Sequence, residues 1–490
     1  MERRRSLLVA VLASLAVLAT GCNSKTPSSA PTPSPVATSA GTIAKENRLP
    51  GTTAWRHEVS RSGIAGYADA VSVNVGERIR FAVSTTSPRY RLDIYRLGWY
   101  GGAGARLMRS VPALRGVDQG SWAPRTYGVR NCPTCIVDPS LGLIDAGWLT
   151  DYQMNIPSSW VSGNYLALLT TPSGDHTYIY FVVRDDSRPS DILAVMPVNT
   201  YQAYNVWGGV DLYIAHPLPD GRSAPRSYEV SFNRPYSVDV LNPAHVTRDN
   251  DFGVAAFLEQ RGYDVTYATS VDLDRDPSLL AHHRLFVSIG HDEYWSRKMR
   301  LAVEQARDRG TNLVFLGGNV MQWQVRYKPD PAGHASRILV CYKDAGLDPV
   351  TATDPAQATD EFEDPPVNKP QNAVTGTIYR SSGVLKPQPW IVDGRAPGWL
   401  LRGSGLEPGD QVLNLTRGEC DTAVSNGSSP PYLVIIGRSG PPADCTTVWY
   451  RTQSGSEVFN AADEGWGYMI DDPRVAQMTA NVFDRLTGRG

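Results

Sequence analysis

The chain predicts a two-part fold, an antiparallel β-sandwich followed by an open parallel sheet with helices on both faces. Three observations carry this expectation. Short strands of alternating hydrophobicity, cut by Gly/Pro turns, fill residues 55–184. Continuous apolar strands alternating with amphipathic helices occupy much of the remainder. The pattern changes at the polar break Asp185-Asp186-Ser187-Arg188-Pro189. The expected organisation is a leader over 1–21, a Ser/Thr/Pro-rich disordered tether over 22–46, a sandwich over 47–187 and an α/β domain over 188–490.

In the first part, AVSVNVGERIRFAVST alternates at Val71, Val73 and Val75 and again at Ile79, Phe81 and Val83, and RYRLDIYRL alternates at Tyr90, Leu92 and Ile94. NYLALLTT and HTYIYFVVR, joined across Pro172-Ser173-Gly174, read as a closing hairpin. In the second part, DILAVMP, DVTYAT, RLFVSIG and NLVFLGG read as buried strands. DFGVAAFLEQRG and SRKMRLAVEQARDRG read as helices stopped by Gly262 and Gly310, and DPRVAQMTANVFDRL as a last helix capped by Asp472 or Asp471.

At 490 residues, 41% hydrophobic, with 44 Gly and 36 Pro, the chain suits a loop-rich globular protein. A formal charge of -2 leaves no electrostatic footprint for nucleic acid. Arg3, Arg4 and Arg5 precede the run LLVAVLASLAVLA, too short to span a bilayer comfortably and shaped like a secretory leader. Ala19-Thr20-Gly21-Cys22 resembles a bacterial lipobox, which implies cleavage before Cys22, lipidation of its sulfur and a membrane-tethered, extracytoplasmic protein. Of the five later cysteines, Cys420 and Cys445 each lie beside a predicted strand and are the preferred disulfide. Cys132-Pro-Thr-Cys135 alone is a weak zinc or redox signal, and Cys341 is the expected unpaired thiol.

Ligands of open α/β sheets bind beyond the carboxyl ends of the parallel strands. Three polar clusters fall there: NTYQAYN after the first strand, GHDEYW after the third and GGN after the fourth. The chain lacks a G-x-S-x-G elbow, an H-E-x-x-H zinc helix and a phosphate-binding loop, and its eight His residues show no ligand spacing.

The strings IYRLGWYGGAGARLM, NTYQAYNVWGG, VSFNRPY, GHDEYWS, FLGGNVMQWQVR and SEVFNA, in this order, resemble the N,N-dimethylformamidase large (beta) subunit family. The resemblance implies a flavodoxin-like, class I glutamine amidotransferase-like second domain and hydrolysis of a linear amide. It also implies one iron, as Fe(III), held by two tyrosines and a glutamate. Carried onto this chain, the ligands are Tyr204, Tyr236 and Glu293, with Tyr201 a rival for Tyr204. His291, Asn319 and Glu419 are the catalytic candidates, and Phe459 joins Tyr201 in the substrate pocket. Two phenolates and a carboxylate are hard donors that would neutralise Fe(III), which lowers the cost of burying the ion. The competing readings are ordinary ones: Glu293 at a helix N-terminus, tyrosines in a core, Asn319 in a turn. The companion subunit of the family's enzyme is not evident here, and homo-oligomerisation stays open. The alternative function is a surface-tethered binding protein whose α/β domain is vestigial.

Overall fold

The computed structural model describes residues 41–238, 240, 250–380, 384–440 and 443–489. The leader, most of the tether and Cys22 lie outside the described residues. The tether's end does not: Thr42–Glu46 is a helical turn with Ile43 and Glu46 buried, and Glu46 is held by Arg106 at 2.7 Å. Five residues are too few to show a helical period, and the turn docks through Ile43 in the main apolar cluster as well as through the Glu46 ion pair. No helix among the described residues is long and apolar enough to cross a membrane.

The β-rich N-terminal part contains two main sheets. One has three antiparallel strands, with Arg78–Thr85 between Ile64–Ala68 and Tyr152–Asn155. The other has five, ordered Ser72–Asn74, His176–Arg184, Gly163–Thr170, Arg89–Leu97 and Ala105–Arg115. The NYLALLTT/HTYIYFVVR hairpin forms as expected, pairing His176 with Thr170 through Val183 with Gly163. Inward residues of both sheets, among them Phe81, Val83, Leu92, Ile94 and Phe181, share one apolar cluster. Alternation along each strand is what puts one face of each sheet into that cluster.

The C-terminal part is organised by strands β1 (Ile192–Met196), β2 (Val265–Thr269), β3 (Leu285–Ile289), β4 (Asn312–Leu316) and β5 (Glu457–Asn460). They pair in parallel in the order β2-β1-β3-β4-β5. Four antiparallel strands, Thr446–Arg451, Val434–Ser439, Val384–Val392 and Gln411–Gly418, extend the sheet to nine. The sequence led us to expect a parallel sheet alone. The added strands carry mixed exposure along one edge and lack the continuous apolar runs that mark buried parallel strands.

Ile192, Ala194 and Met196 of β1 face one apolar cluster with helices α2 (Asp251–Gln260) and α4 (Pro473–Thr487), whereas Leu193 and Val195 face another with α3 (Arg297–Asp308). Both faces are thus covered, as the uninterrupted apolar strands require. Asp472 caps α4 by accepting from Arg474 N. The chain leaves β1 for β2 on one side and returns for β3 on the other, so the β1/β3 boundary is the switch point where such sheets open a crevice.

Beside the amino end of this sheet, the His283 imidazole sits against Ser190, its Nδ1 2.9 Å from the backbone oxygen. Burial drives its pKa down to about 4. The unfolded chain, with an ordinary His pKa near ~6.5, therefore binds the proton more tightly. This contribution to stability is complete above pH ~6.5 and is lost as pH falls toward 4. A His283→Asn variant should show a flatter fall in melting temperature between pH 6.5 and 4 than the parent; parallel curves would show that His283 does not titrate in this way.

Candidate active site

The site grows from the carboxyl ends of β1 and β3. After β1 the chain turns into the short helix α1 (Val198–Ala203) and reaches Tyr204. After β3, Gly290 takes φ +64, and a Cβ there would lie 1.8 Å from Asp251 Oδ1. The turn therefore needs glycine. It delivers His291, Asp292 and Glu293, all 2% exposed or less.

Glu293 is the focus. Its Oε2 accepts from Tyr204 Oη at 3.1 Å. Tyr213 Oη lies 2.8 Å from Oε1 and 3.0 Å from Oε2, and Trp323 Nε1 donates to Oε1 at 2.8 Å. The Tyr204 and Tyr213 rings stack with centroids 4.5 Å apart. Tyr294 Oη makes a short hydrogen bond with Tyr213 Oη. Burial alone would raise the Glu293 pKa, but His291, Lys343 and Tyr213 outweigh it and hold the carboxyl at about 2. Burial and the Glu293 charge push the Tyr213 phenol well above its ordinary value. Lys343 Nζ lies 3.5 Å from the Tyr213 ring centroid and 4.6 Å from that of Trp323, a half-buried cation against an aromatic wall.

His291 stands between this group and two further carboxylates. Its Nε2 is 3.2 Å from Glu293 Oε2 and 3.7 Å from Glu419 Oε2; its Nδ1 is 3.1 Å from Gly318 O and 3.2 Å from Glu464 Oε1. Burial disfavours the imidazolium, yet Glu464, Glu293 and Glu419 together raise its pKa well above the usual range. Asn319 Nδ2 donates to Glu419 Oε2 at 2.6 Å, and its backbone N–H to Asp421 Oδ1 at 2.7 Å. Gly317 and Gly318 allow this approach. A Cβ on Gly317 would lie 2.0 Å from Gly290 O, and one on Gly318 2.0 Å from Glu419 O.

Not every residue expected at the site is brought there. Tyr204, Glu293, His291, Asn319 and Glu419 converge. Tyr201 does not reach Glu293, because its Oη is held by Asp251 in a short hydrogen bond. Tyr236 does not reach it either; it packs edge-on to Tyr201 at 6.5 Å and lines a cavity beside the N-terminal sheets. Tyr213 takes the place expected for Tyr236. Phe459 is fully buried on β5 against Trp466, at 5.5 Å, and offers no surface to a substrate. Glu293 does not cap a helix, since α3 begins at Arg297 and its cap is Ser296. Asp292 turns away to Ser288 at 2.8 Å. Sequence reasoning missed Tyr213, Trp323, Lys343 and Glu464. Only Trp323 lay in a distinctive string, and nothing local marks Tyr213 in Asp211-Leu212-Tyr213.

Cys420 pairs with Cys445 as expected, just after Glu419. Cys132 pairs with Cys135, and Cys341 is buried and free.

A family model, N,N-dimethylformamidase beta subunit-like, C-terminal, matches residues 91–480. The chain belongs to this family. No curated protein sequence matches it. Among solved structures, the "mmIFT52 N-terminal domain" shares 10% identity, with 46% of this chain and 86% of that one covered and a TM-score of 0.29. A beta-glucosidase from Listeria innocua in complex with glucose shares 9%, covering 24% of this chain and 16% of its own, at a TM-score of 0.12. A Paenibacillus cycloisomaltooligosaccharide glucanotransferase shares 8%, covering 69% and 63%, at 0.16. These likenesses are too slight to carry an argument. For this N,N-dimethylformamidase beta subunit-like chain, the His291/Glu419/Glu464 cluster is one set of side chains with the spacing to hold a metal ion. Tyr204 and Tyr213 adjoin this cluster through their contacts with Glu293.

Proposed function

We propose that the protein is an extracytoplasmic lipoprotein amidohydrolase that cleaves a linear C–N bond with a single hard cation, iron in its ferric state, held by Tyr204, Tyr213 and Glu293. One observation carries this reading: two phenol hydroxyls converge on a single buried carboxylate, within 2.8–3.1 Å of its oxygens. A trivalent ion in place of the two phenolic protons would leave the group neutral overall and be met by hard oxygens only. The His291 cluster fits a cation less well. Glu464 approaches closest at Nδ1 and Glu419 at Nε2, so the two shortest carboxylate contacts fall on different ring nitrogens.

When bound, such an ion polarises an amide carbonyl and acidifies water. The remaining chemistry belongs to the side chains. Glu419, with 23% of its side chain exposed, is placed to take a proton from an attacking water. Asn319, donating to Glu419 Oε2, fixes the orientation of that carboxylate and is thereby a positioning residue. His291, charged and anchored at Gly318 O, keeps Glu293 ionised and is placed to return a proton to the leaving nitrogen.

Tyr213→Phe should remove the visible phenolate-to-metal absorption or shift it strongly, and lower turnover on the order of 100-fold or more, the scale of several kcal/mol of Lewis-acid assistance. Tyr236→Phe should leave both unchanged. The reverse pattern would restore Tyr236 as the ligand and sink this assignment. For the anchor, Cys22→Ser should move the protein from the membrane to the soluble fraction; retention in the membrane would refute lipidation at that residue.

A further inference from the structure

The motif Cys132-Pro-Thr-Cys135 takes no part in the chemistry around Glu293. Its sulfurs are bonded to each other across a separation of 3 residues, against 25 for Cys420–Cys445. A disulfide stabilises a fold by restricting the unfolded chain, and the effect grows with the loop it closes. The tight pair therefore contributes the less of the two. It is also the more accessible. Cys132 and Cys135 are half-buried, with Asn131, Pro133, Thr134 and Ile136 exposed around them, whereas Cys420 is 0% and Cys445 3% exposed. In the folded chain an attacking thiol can reach the first pair and not the second.

The surroundings of Cys132 suit a sulfur that carries charge. Trp148, 6% exposed, donates its indole N–H to Cys132 Sγ at 3.3 Å. A buried indole N–H needs an acceptor, and a thiolate accepts more strongly than a disulfide sulfur. Ala146 O lies 3.6 Å from the same sulfur, placed to accept from it as a thiol. Two glycines make room for the turn. A Cβ on Gly120 would lie 2.5 Å from Cys132 Cβ, and one on Gly147, at φ +57, 2.7 Å from Thr134 O. Trp148 is itself held, its backbone N–H donating to Tyr67 Oη at 2.8 Å and its ring edge-on to Trp207 at 5.8 Å. Neither contact involves the disulfide, so the indole stays aimed at Cys132 Sγ when the bond to Cys135 is cut. Thr134, Ile136 and Trp148 line a cavity of about 660 Å³, which leaves space for a reacting partner beside the turn.

We infer that Cys132–Cys135 is a site of reversible thiol–disulfide exchange, with a dithiol as co-reactant. One thiol of the dithiol ionises and attacks Cys135 Sγ. A new S–S bond forms there, the Cys132–Cys135 bond breaks, and its electron pair leaves on Cys132 Sγ, where the Trp148 N–H stabilises it. A leaving thiolate stabilised in this way departs faster. The second thiol of the dithiol then gives up its proton and attacks the mixed disulfide, releasing Cys135 as a thiolate that takes up a proton. The protein disulfide is reduced by two electrons, and the dithiol is oxidised to its own disulfide. This exchange is independent of the amidohydrolase reading.

The test is reduction of the mature chain by dithiothreitol without denaturant, quenched with N-ethylmaleimide and read by peptide mass spectrometry. Cys132 and Cys135 should be labelled at least about ten-fold faster than Cys420 and Cys445, and oxidised dithiothreitol should restore the bond. The buried Cys341 serves as the control, since its labelling reports unfolding. Cys135→Ser isolates the leaving sulfur. Alkylation of Cys132 by iodoacetamide in that variant should follow an ionisation with a midpoint below the ~8.5 of a free thiol, and adding Trp148→Phe should raise the midpoint. Equal labelling of the two pairs, labelling only together with Cys341, or a Cys132 midpoint at or above ~8.5 would overturn the proposal.

Discussion

Glu293→Gln should abolish amide hydrolysis, with a loss on the order of 1,000-fold or more, about 4 kcal/mol at 1.36 kcal/mol per decade, together with loss of bound metal and its colour. The change is nearly isosteric, so its force is electronic. Glu293 accepts from three donors, Tyr204, Tyr213 and Trp323, and carries the charge that faces His291. A glutamine amide turns one acceptor oxygen into a donor in a site with 2% exposure. At least one of those donors then meets an N–H instead of an oxygen, at a cost of about 1–3 kcal/mol, and the charge proposed to hold the cation is gone. Metal content, absorption and kcat/KM measured together check the prediction, with circular dichroism to confirm folding. A folded variant retaining parental metal and turnover would remove Glu293 from the site.

The second large effect is on stability. Glu259→Gln should destabilise the fold by about 3–5 kcal/mol, the cost of leaving a buried charge without its partner. Arg96, on Arg89–Leu97 of the N-terminal part, is 0% exposed and pairs with Glu259 of α2 through two contacts, at 2.8 and 2.9 Å. Tyr267 Oη and Asn47 Nδ2 also donate to Glu259, at 3.2 and 2.7 Å. This pair ties the two-sheet part to the nine-stranded sheet. Glu259→Gln leaves the guanidinium buried without a countercharge; the double variant Arg96→Met/Glu259→Leu removes both charges and should lose less. Urea midpoints for the single and double variants test this, and a single variant within about 1 kcal/mol of the parent would show that the pair does not hold the two parts together.

How much of this was legible beforehand differs by element. The four parallel strands and helices α2, α3 and α4 were readable because burial on both faces demands unbroken apolar runs, and helix faces demand a 3.6-residue period. Strand β5 and the antiparallel extension were not separable from other short strands, since exposed edge strands carry no such run. In the site, His291 and Glu293 stand beside a glycine turn at a strand end, a position that topology alone marks. Tyr213 carries no comparable sign. Of Tyr201 and Tyr204, three residues apart, either was a credible ligand until Asp251 was seen to hold the first.

By itself, the order of residues determined the mixed α/β character of the chain, the family, the strand ends where chemistry gathers and the Cys420–Cys445 pair. These follow from periodicity, strand-end position and extended motifs, all written locally along the chain. The tertiary structure alone decided which tyrosines face Glu293, that Glu464 and Lys343 join them, and that the Trp148 indole is aimed at the Cys132 sulfur. Tyr213 and Glu293 are 80 residues apart, and what brings them together is the crossing of the chain from β1 to β3, a matter of strand order and not of local composition.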